Sequence, residues 1–255
     1  MLERLIRIKS VSGEEVEIQK HILDLLTSFD LDPIKINDNV CLVIKGKNDL
    51  KTLIFDAHVD TVDPGDVTSW KYNPFSATKV DGKIYGLGAS DDKASVSVLL
   101  ELANKYSKET PPCNLVLAFA VGEEVDGHGT AEIVSYLEDN NLLRGEISAI
   151  VCEPTMLKKV GVAHKGNIFI KIITSGIAGH SSKPIDESNH AVLKMLTIVA
   201  NLKHLSEEWG KNYKNEVLGI PTIGLVTSIS AGNENTPNKF PDKCTAVFDI
   251  RTTPE

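Results

Sequence analysis

Thiol pairs are missing from this sequence. Its four cysteines, Cys41, Cys113, Cys152 and Cys244, form no C-x-x-C pair, and their intervals suit neither a zinc ribbon nor a dense disulfide framework. They read as reduced core residues of a cytoplasmic protein. A basic excess is missing too: Lys and Arg number 27 against 35 Asp and Glu, for a formal net charge of -8. That argues against nucleic acid or an anionic membrane as the main partner, because either needs a basic face. No run approaches the roughly 18 apolar residues that span a bilayer. Met1-Leu2-Glu3-Arg4-Leu5 enters an amphipathic segment directly, so no signal peptide is expected. Internal repeats and low-complexity tracts are absent as well. The glycines of Gly86-Leu87-Gly88 lack the spacing of a phosphate loop, which sets aside a nucleotide-binding reading.

What is present is an ordinary globular composition. Of 255 residues, 42% are hydrophobic and 24% charged, enough for a buried core and for one large domain or two smaller ones. Ser12-Gly13-Glu14-Glu15 predicts a capping box, with Ser12 bonding a free N–H of the first helical turn and Glu15 bonding back. Ile18, Ile22, Leu25, Leu26 and Phe29 follow at helical spacing. Strands are predicted over 40–44 and 52–57. A helix is predicted over 91–106, with Ala94, Val98, Leu102 and Tyr106 on its apolar face. Residues 115–121 are almost all apolar, as in a central strand buried on both sides. A helix over 130–137 and another buried strand over 147–152 complete an alternation that predicts an α/β domain with a mostly parallel sheet, spanning 1–162. Beyond it, a strand over 168–172, a helix over 188–205 and strands over 222–229 and 245–250 predict a smaller α+β domain, spanning 163–255.

The acids and histidines fall just after the apolar strands, where open parallel sheets bind ligands. In Phe55-Asp56-Ala57-His58-Val59-Asp60-Thr61, alternation lets His58 and Asp60 face one pocket while Val59 faces the core. A metal-binding imidazole usually hands its second N–H to a carboxylate, a part that Asp60 suits. Asp91, after Gly86-Leu87-Gly88, is either a helix cap or a carboxylate bridging two cations. Glu123 and Glu124 end the central strand; one can ligate a metal while the other acts as general base. Glu153, before Pro154, is a fourth candidate ligand. Nitrogen and oxygen donors without thiolate suit zinc, cobalt or manganese, and so many carboxylates suit a pair of ions.

With these residues in place, the chain resembles the dinuclear-zinc family of acetylornithine deacetylase, succinyl-diaminopimelate desuccinylase, aminoacylase and glutamate carboxypeptidase, over nearly its whole length. The resemblance implies that His58 binds one metal with Asp60 supporting it, and that Asp91 bridges, with a cis Asp91–Asp92 peptide. It makes Glu123 the general base, Glu124 a ligand of one metal and Glu153 a ligand of the other. It reads the second domain as a lid that also forms a homodimer contact. In that lid, His180 of Gly179-His180-Ser181-Ser182 stabilises the oxyanion across the dimer. Asn238 and Arg251 hold the substrate, Arg251 by its carboxylate. The implied activity is hydrolysis of the amide bond of an N-acyl amino acid, with a dipeptidase or carboxypeptidase as the alternative.

One feature departs from the family pattern. The family's chain returns from the lid and supplies a last histidine ligand, whereas this sequence stops at Thr253-Pro254-Glu255, and His164, His190 and His204 do not match that motif. A truncated chain, inactive alone, is therefore expected. A non-catalytic metal-binding or dimerisation fragment is the rival reading, against which the intact Glu123 weighs.

Overall fold

In the computed structural model, which describes residues 1–254 apart from the side chain of Leu225, the chain divides into two compact units between Lys158 and Lys159. The first contains, in order, α1 (Leu2–Arg7), α2 (Val16–Ser28), β1 (Ile34–Ile36), β2 (Asn39–Ile44), β3 (Asn48–His58), β4 (Thr78–Val80), β5 (Lys83–Tyr85), α3 (Lys93–Tyr106), β6 (Cys113–Ala120), α4 (His128–Asp139) and β7 (Glu146–Val151). Five strands form one sheet in the order β1-β2-β6-β3-β7. β6, β3 and β7 run parallel, while β2 pairs antiparallel with β6 and β1 with β2. β6 is central, as its apolar run predicts. Its alternation splits the core: Leu117, Phe119 and Val121 meet Leu5, Ile18, Ile22, Val96 and Leu100 of α1, α2 and α3. Val116, Ala118 and Ala120 meet Ile133 and Leu137 of α4. Each large apolar side chain buried this way contributes about 1.5–3 kcal/mol. The result is an α/β unit with helices on both faces, and its parallel strands end on one edge.

The second unit contains β8 (Gly166–Ser175), β9 (Gly179–His180), α5 (Ala191–Asn212), β10 (Thr222–Ala231), β11 (Lys239–Phe240) and β12 (Lys243–Thr252). β10, β12 and β8 form an antiparallel sheet in that order, and β9 pairs with β11. Ala191 and Met195 of α5 pack on Cys244, Ala246 and Phe248. No helix among the described residues is long and apolar enough to cross a membrane.

Three local expectations are corrected. The capping box does not form: α2 starts at Val16 after Glu15, with no side-chain cap bond, and the Ser12 hydroxyl bonds Asp60 instead. The buried row of α3 is Lys93, Val96, Leu99, Leu100 and Ala103, and Val98 faces solvent. α3 is rotated because Lys93 goes inward; its ammonium donates to the carbonyls of Leu5, at 3.1 Å, and Ile8, at 2.7 Å. β7 is exposed along its whole length, because it is the edge strand and the described residues add nothing beyond it.

Candidate metal centre

β3 runs straight into the centre. Val59 is wholly buried in the core, while His58 and Asp60 lie on the other side of the strand, 3% and 0% exposed. His58 Nε2 sits 2.9 Å from Asp91 Oδ1, and Nδ1 sits 3.4 Å from Asp60 Oδ1 and 3.2 Å from the Asp60 carbonyl. Burial alone would depress the imidazolium; the Asp60 and Asp91 carboxylates outweigh it and raise the pKa to about 10. Asp60 itself is held below the usual carboxylate range. Burial opposes that shift, and His58, the Ser12 hydroxyl and the Glu124 amide overcome it.

Asp91 does not follow a strand of the main sheet. It ends the loop after the β4–β5 hairpin, at a cis Asp91–Asp92 peptide. Gly88, at φ +74°, allows this loop to press on Lys93 and Thr61, each 3.0 Å from where a Cβ would stand. The reading of Asp91 as a helix cap does not hold: Asp92 occupies the N-cap of α3, and even it makes no cap bond. The other acids arrive on strand ends. Glu123 and Glu124 follow β6, and their backbone amides each donate to the Asp60 carboxylate at 3.2 Å. Glu153 follows β7, where the Cys152 amide donates to the Asp56 carbonyl and Ser95 to the Cys152 carbonyl, at 2.8 and 2.7 Å.

Candidate ligand atoms of His58, Asp91 and Glu153 all lie within 4.8 Å of one another. Glu124 stands outside that trio yet close enough for the Asp91 charge to act on it. Glu124 and Glu153 are both pushed above the ordinary carboxylate range, by burial first and then by Asp91. Such converging negative charge calls for cations, and a nitrogen-and-carboxylate set with no thiolate fits zinc. Two ligand bonds of about 2.0–2.2 Å also span a separation like that between Nε2 and Asp91.

Three residues here have parts that the sequence does not show. Ser12 fits a cap by spacing, and its hydroxyl bonds Asp60. Asp92 is 1% exposed, its carboxylate oxygens find no donor within hydrogen-bond distance among the described residues, and burial lifts its pKa to about 7 against the lowering influence of the nearby Ser95 hydroxyl. Lys93 is the buried lysine already described. The triplet Asp91-Asp92-Lys93 is the one sequence signal of Asp92 and Lys93.

In the second unit, β9 and β11 place His180 opposite Lys239, and Asn238 beside it. The Asn238 side-chain amide is 3.2 Å from His180 Nε2. Nδ1 of His180 accepts the Ser182 amide at 3.2 Å. Arg251 is not part of this pair; its Nε and Nη2 donate to Asp249 Oδ2 at 3.1 and 2.9 Å.

Comparison with known proteins gives a consistent answer. Residues 54–240 match the model of peptidase family M20/M25/M40. The chain is 29% identical over 257 residues to succinyl-diaminopimelate desuccinylase 2 of Ruegeria sp. (strain TM1040), covering 97% of this chain and 63% of that one. It is 27% identical over 263 residues to succinyl-diaminopimelate desuccinylase of Wolbachia pipientis wMel, covering 98% and 63%. The chain thus spans 63% of the length of these two relatives. Its fold is similar to that of an M20 family metallo-carboxypeptidase, Sso-CP2, from Sulfolobus solfataricus, with TM-score 0.72, 19% identity and coverage of 100% and 70%. It is also similar to human carnosine dipeptidase 1, with TM-score 0.75, 15% identity and coverage of 100% and 69%.

Proposed function

This chain belongs to peptidase family M20/M25/M40, and from that membership we propose that it carries the metal site and general base of a hydrolase for the amide bond of an N-acyl amino acid. The observation that carries the reading is the convergence of His58, Asp91 and Glu153 ligand atoms within 4.8 Å. Two divalent cations fit the donor set, and His58, Asp91, Glu124 and Glu153 would hold them. Zinc is preferred, and cobalt and manganese are the alternatives. When bound, they supply positive charge that acidifies a water and polarises the scissile carbonyl.

The chain's own groups do the remaining work. Asp60 fixes Nδ1 of His58 and so aims Nε2 at Asp91. Glu123 accepts a proton from the attacking water on a carboxylate oxygen and returns it to the leaving nitrogen. Water is thereby added across the C–N bond, and an acid and an amine depart. His180 donates a ring N–H to the carbonyl oxygen as negative charge develops there, by way of a homodimer formed through the second unit. Asn238 and Arg251 hold the free carboxylate of the substrate, the guanidinium by two N–H groups. The names of the relatives favour an N-succinyl group over other acyl groups.

Amine release by a complete enzyme that carries this chain, from N-acetyl amino acids, N-succinyl amino acids and dipeptides, with and without a chelator, tests the reading. Release from an N-acyl substrate that chelation abolishes and zinc restores is the expected result. Metal-dependent release from dipeptides alone would replace the deacylase with a dipeptidase, and release indifferent to chelation would remove the metal from the chemistry.

A further inference from the structure

Ser12 lies 48 residues from Asp60 in sequence, yet its hydroxyl donates to Asp60 Oδ2 at 2.7 Å, the shortest of the contacts to that carboxylate. Residues 10–12 are clamped along 59–61 to make this reach. The Thr61 amide donates to the Ser10 carbonyl at 2.9 Å, the Ser12 amide to the Thr61 carbonyl at 3.1 Å, and the Ser10 hydroxyl to the Val59 carbonyl at 2.8 Å. Gly13, at φ +92°, then turns the chain away, with its amide on Glu15 Oε1 at 2.9 Å.

Asp60 is wholly buried, and each of its oxygens serves two masters. Oδ1 meets His58 Nδ1 and the Glu123 amide, while Oδ2 meets the Ser12 hydroxyl and the Glu124 amide. A carboxylate turns about its last torsion with little resistance. Without the hydroxyl, Oδ2 keeps one bond of 3.2 Å, and the orientation that serves both amides at once is no longer fixed.

We propose that Ser12 is a positioning residue of the metal centre: it sets the rotation of Asp60, and through Asp60 the loop that presents Glu123 and Glu124. This deepens the metal-hydrolase reading, on which its catalytic consequence rests. The loop geometry itself can be read without metal.

The test uses the whole chain in four forms: wild type, Ser12→Ala, Ser12→Thr and Ser10→Ala. Ser10→Ala loosens the same clamp without touching Asp60. In metal-free protein, hydrogen exchange of the Glu123 and Glu124 amides is expected to rise about tenfold in Ser12→Ala, the scale of one lost hydrogen bond to a charged group. Ser12→Thr is expected to restore protection, and Ser10→Ala to leave it near the wild-type level. Zinc affinity, by competition with a chelating dye, is expected to fall about tenfold or more in Ser12→Ala alone. Unchanged exchange in Ser12→Ala, or an equal rise in Ser10→Ala, overturns the inference. A wild-type chain that binds no zinc, while Ser12→Ala still accelerates exchange, overturns the metal reading and leaves the positioning of the loop standing.

Discussion

Gly122 is the hinge on which Glu123 and Glu124 leave the central strand, and replacing it with alanine puts the geometry of that hinge to a quantitative test. Its φ is +70°, a left-handed conformation that costs a residue with a Cβ about 1–2 kcal/mol. The added Cβ would stand 2.3 Å from His128 Cε1 and 2.6 Å from its Nδ1, closer than carbon atoms approach. The ring must therefore move off its 2.6 Å contact with Asp126, or the loop must shift. Overpacking of this kind costs about 1–3 kcal/mol, and a half-exposed ring that can swing outward keeps it near the lower figure. The sum is about 2–3 kcal/mol. Urea unfolding followed by the fluorescence of Trp70, which lies in the first unit, measures it. His128→Ala in the Gly122→Ala background removes the clash and is expected to recover about 1 kcal/mol, leaving the backbone term. In a complete enzyme, turnover should fall further than stability does, because the Gly122 carbonyl also accepts the amides of Val125, Asp126 and Gly127, which close the loop around the two glutamates. Stability of Gly122→Ala within about 0.5 kcal/mol of wild type, or no recovery in the double variant, would refute the reasoning.

Glu123→Gln in the active protein is expected to lower turnover about 10²–10⁴-fold while metal content holds, as loss of a general base requires; equal loss of metal and activity would sink that role. Lys93 titrates in the opposite sense to a paired lysine. Burial lowers its pKa from 10.5 to about 8, so between those values the unfolded chain binds the extra proton and stability rises with pH. In the presence of a chelator, wild type is expected to gain on Lys93→Met by about 3 kcal/mol between pH 7.5 and 10.5. Parallel stability curves for the two proteins would remove the buried charge from the account. Phe119→Ala opens a cavity in the central strand, where the ring is 0% exposed, and is expected to cost about 3–5 kcal/mol by urea unfolding. A loss under about 1 kcal/mol would mean the core around β6 is not closed.

What the sequence made legible, and what it hid, divide along one physical line. β6 was plain because a strand buried on both faces must be apolar throughout, and Cys113–Ala120 is nearly so. The placement of His58, Glu123, Glu124 and Glu153 at strand ends was plain, because acids and a histidine directly after apolar strands have no packing reason to be there. These are local patterns. Ser12 and Lys93 answer to distant partners, and local patterns misread them. Ser12 fits a capping box perfectly well by spacing, and only the fold shows that its partner is Asp60 rather than the helix at its side. Lys93 looks like a solvated start to α3, since lysine is seldom buried, and helical spacing puts the apolar row through Ala94, Val98, Leu102 and Tyr106. Once its stem goes inward and its ammonium finds the carbonyls of Leu5 and Ile8, the helix turns and Val96, Leu100 and Ala103 become the core row. The same distinction explains β7, whose apolar run speaks for burial that pairing on only one edge does not provide. Candidate ligands can be read from sequence because their chemistry is carried by the residue itself. Supports cannot, because a hydroxyl or an ammonium becomes a support only through the atom it reaches. Variants at Ser12 and Lys93 therefore test the fold at the points where the sequence said least.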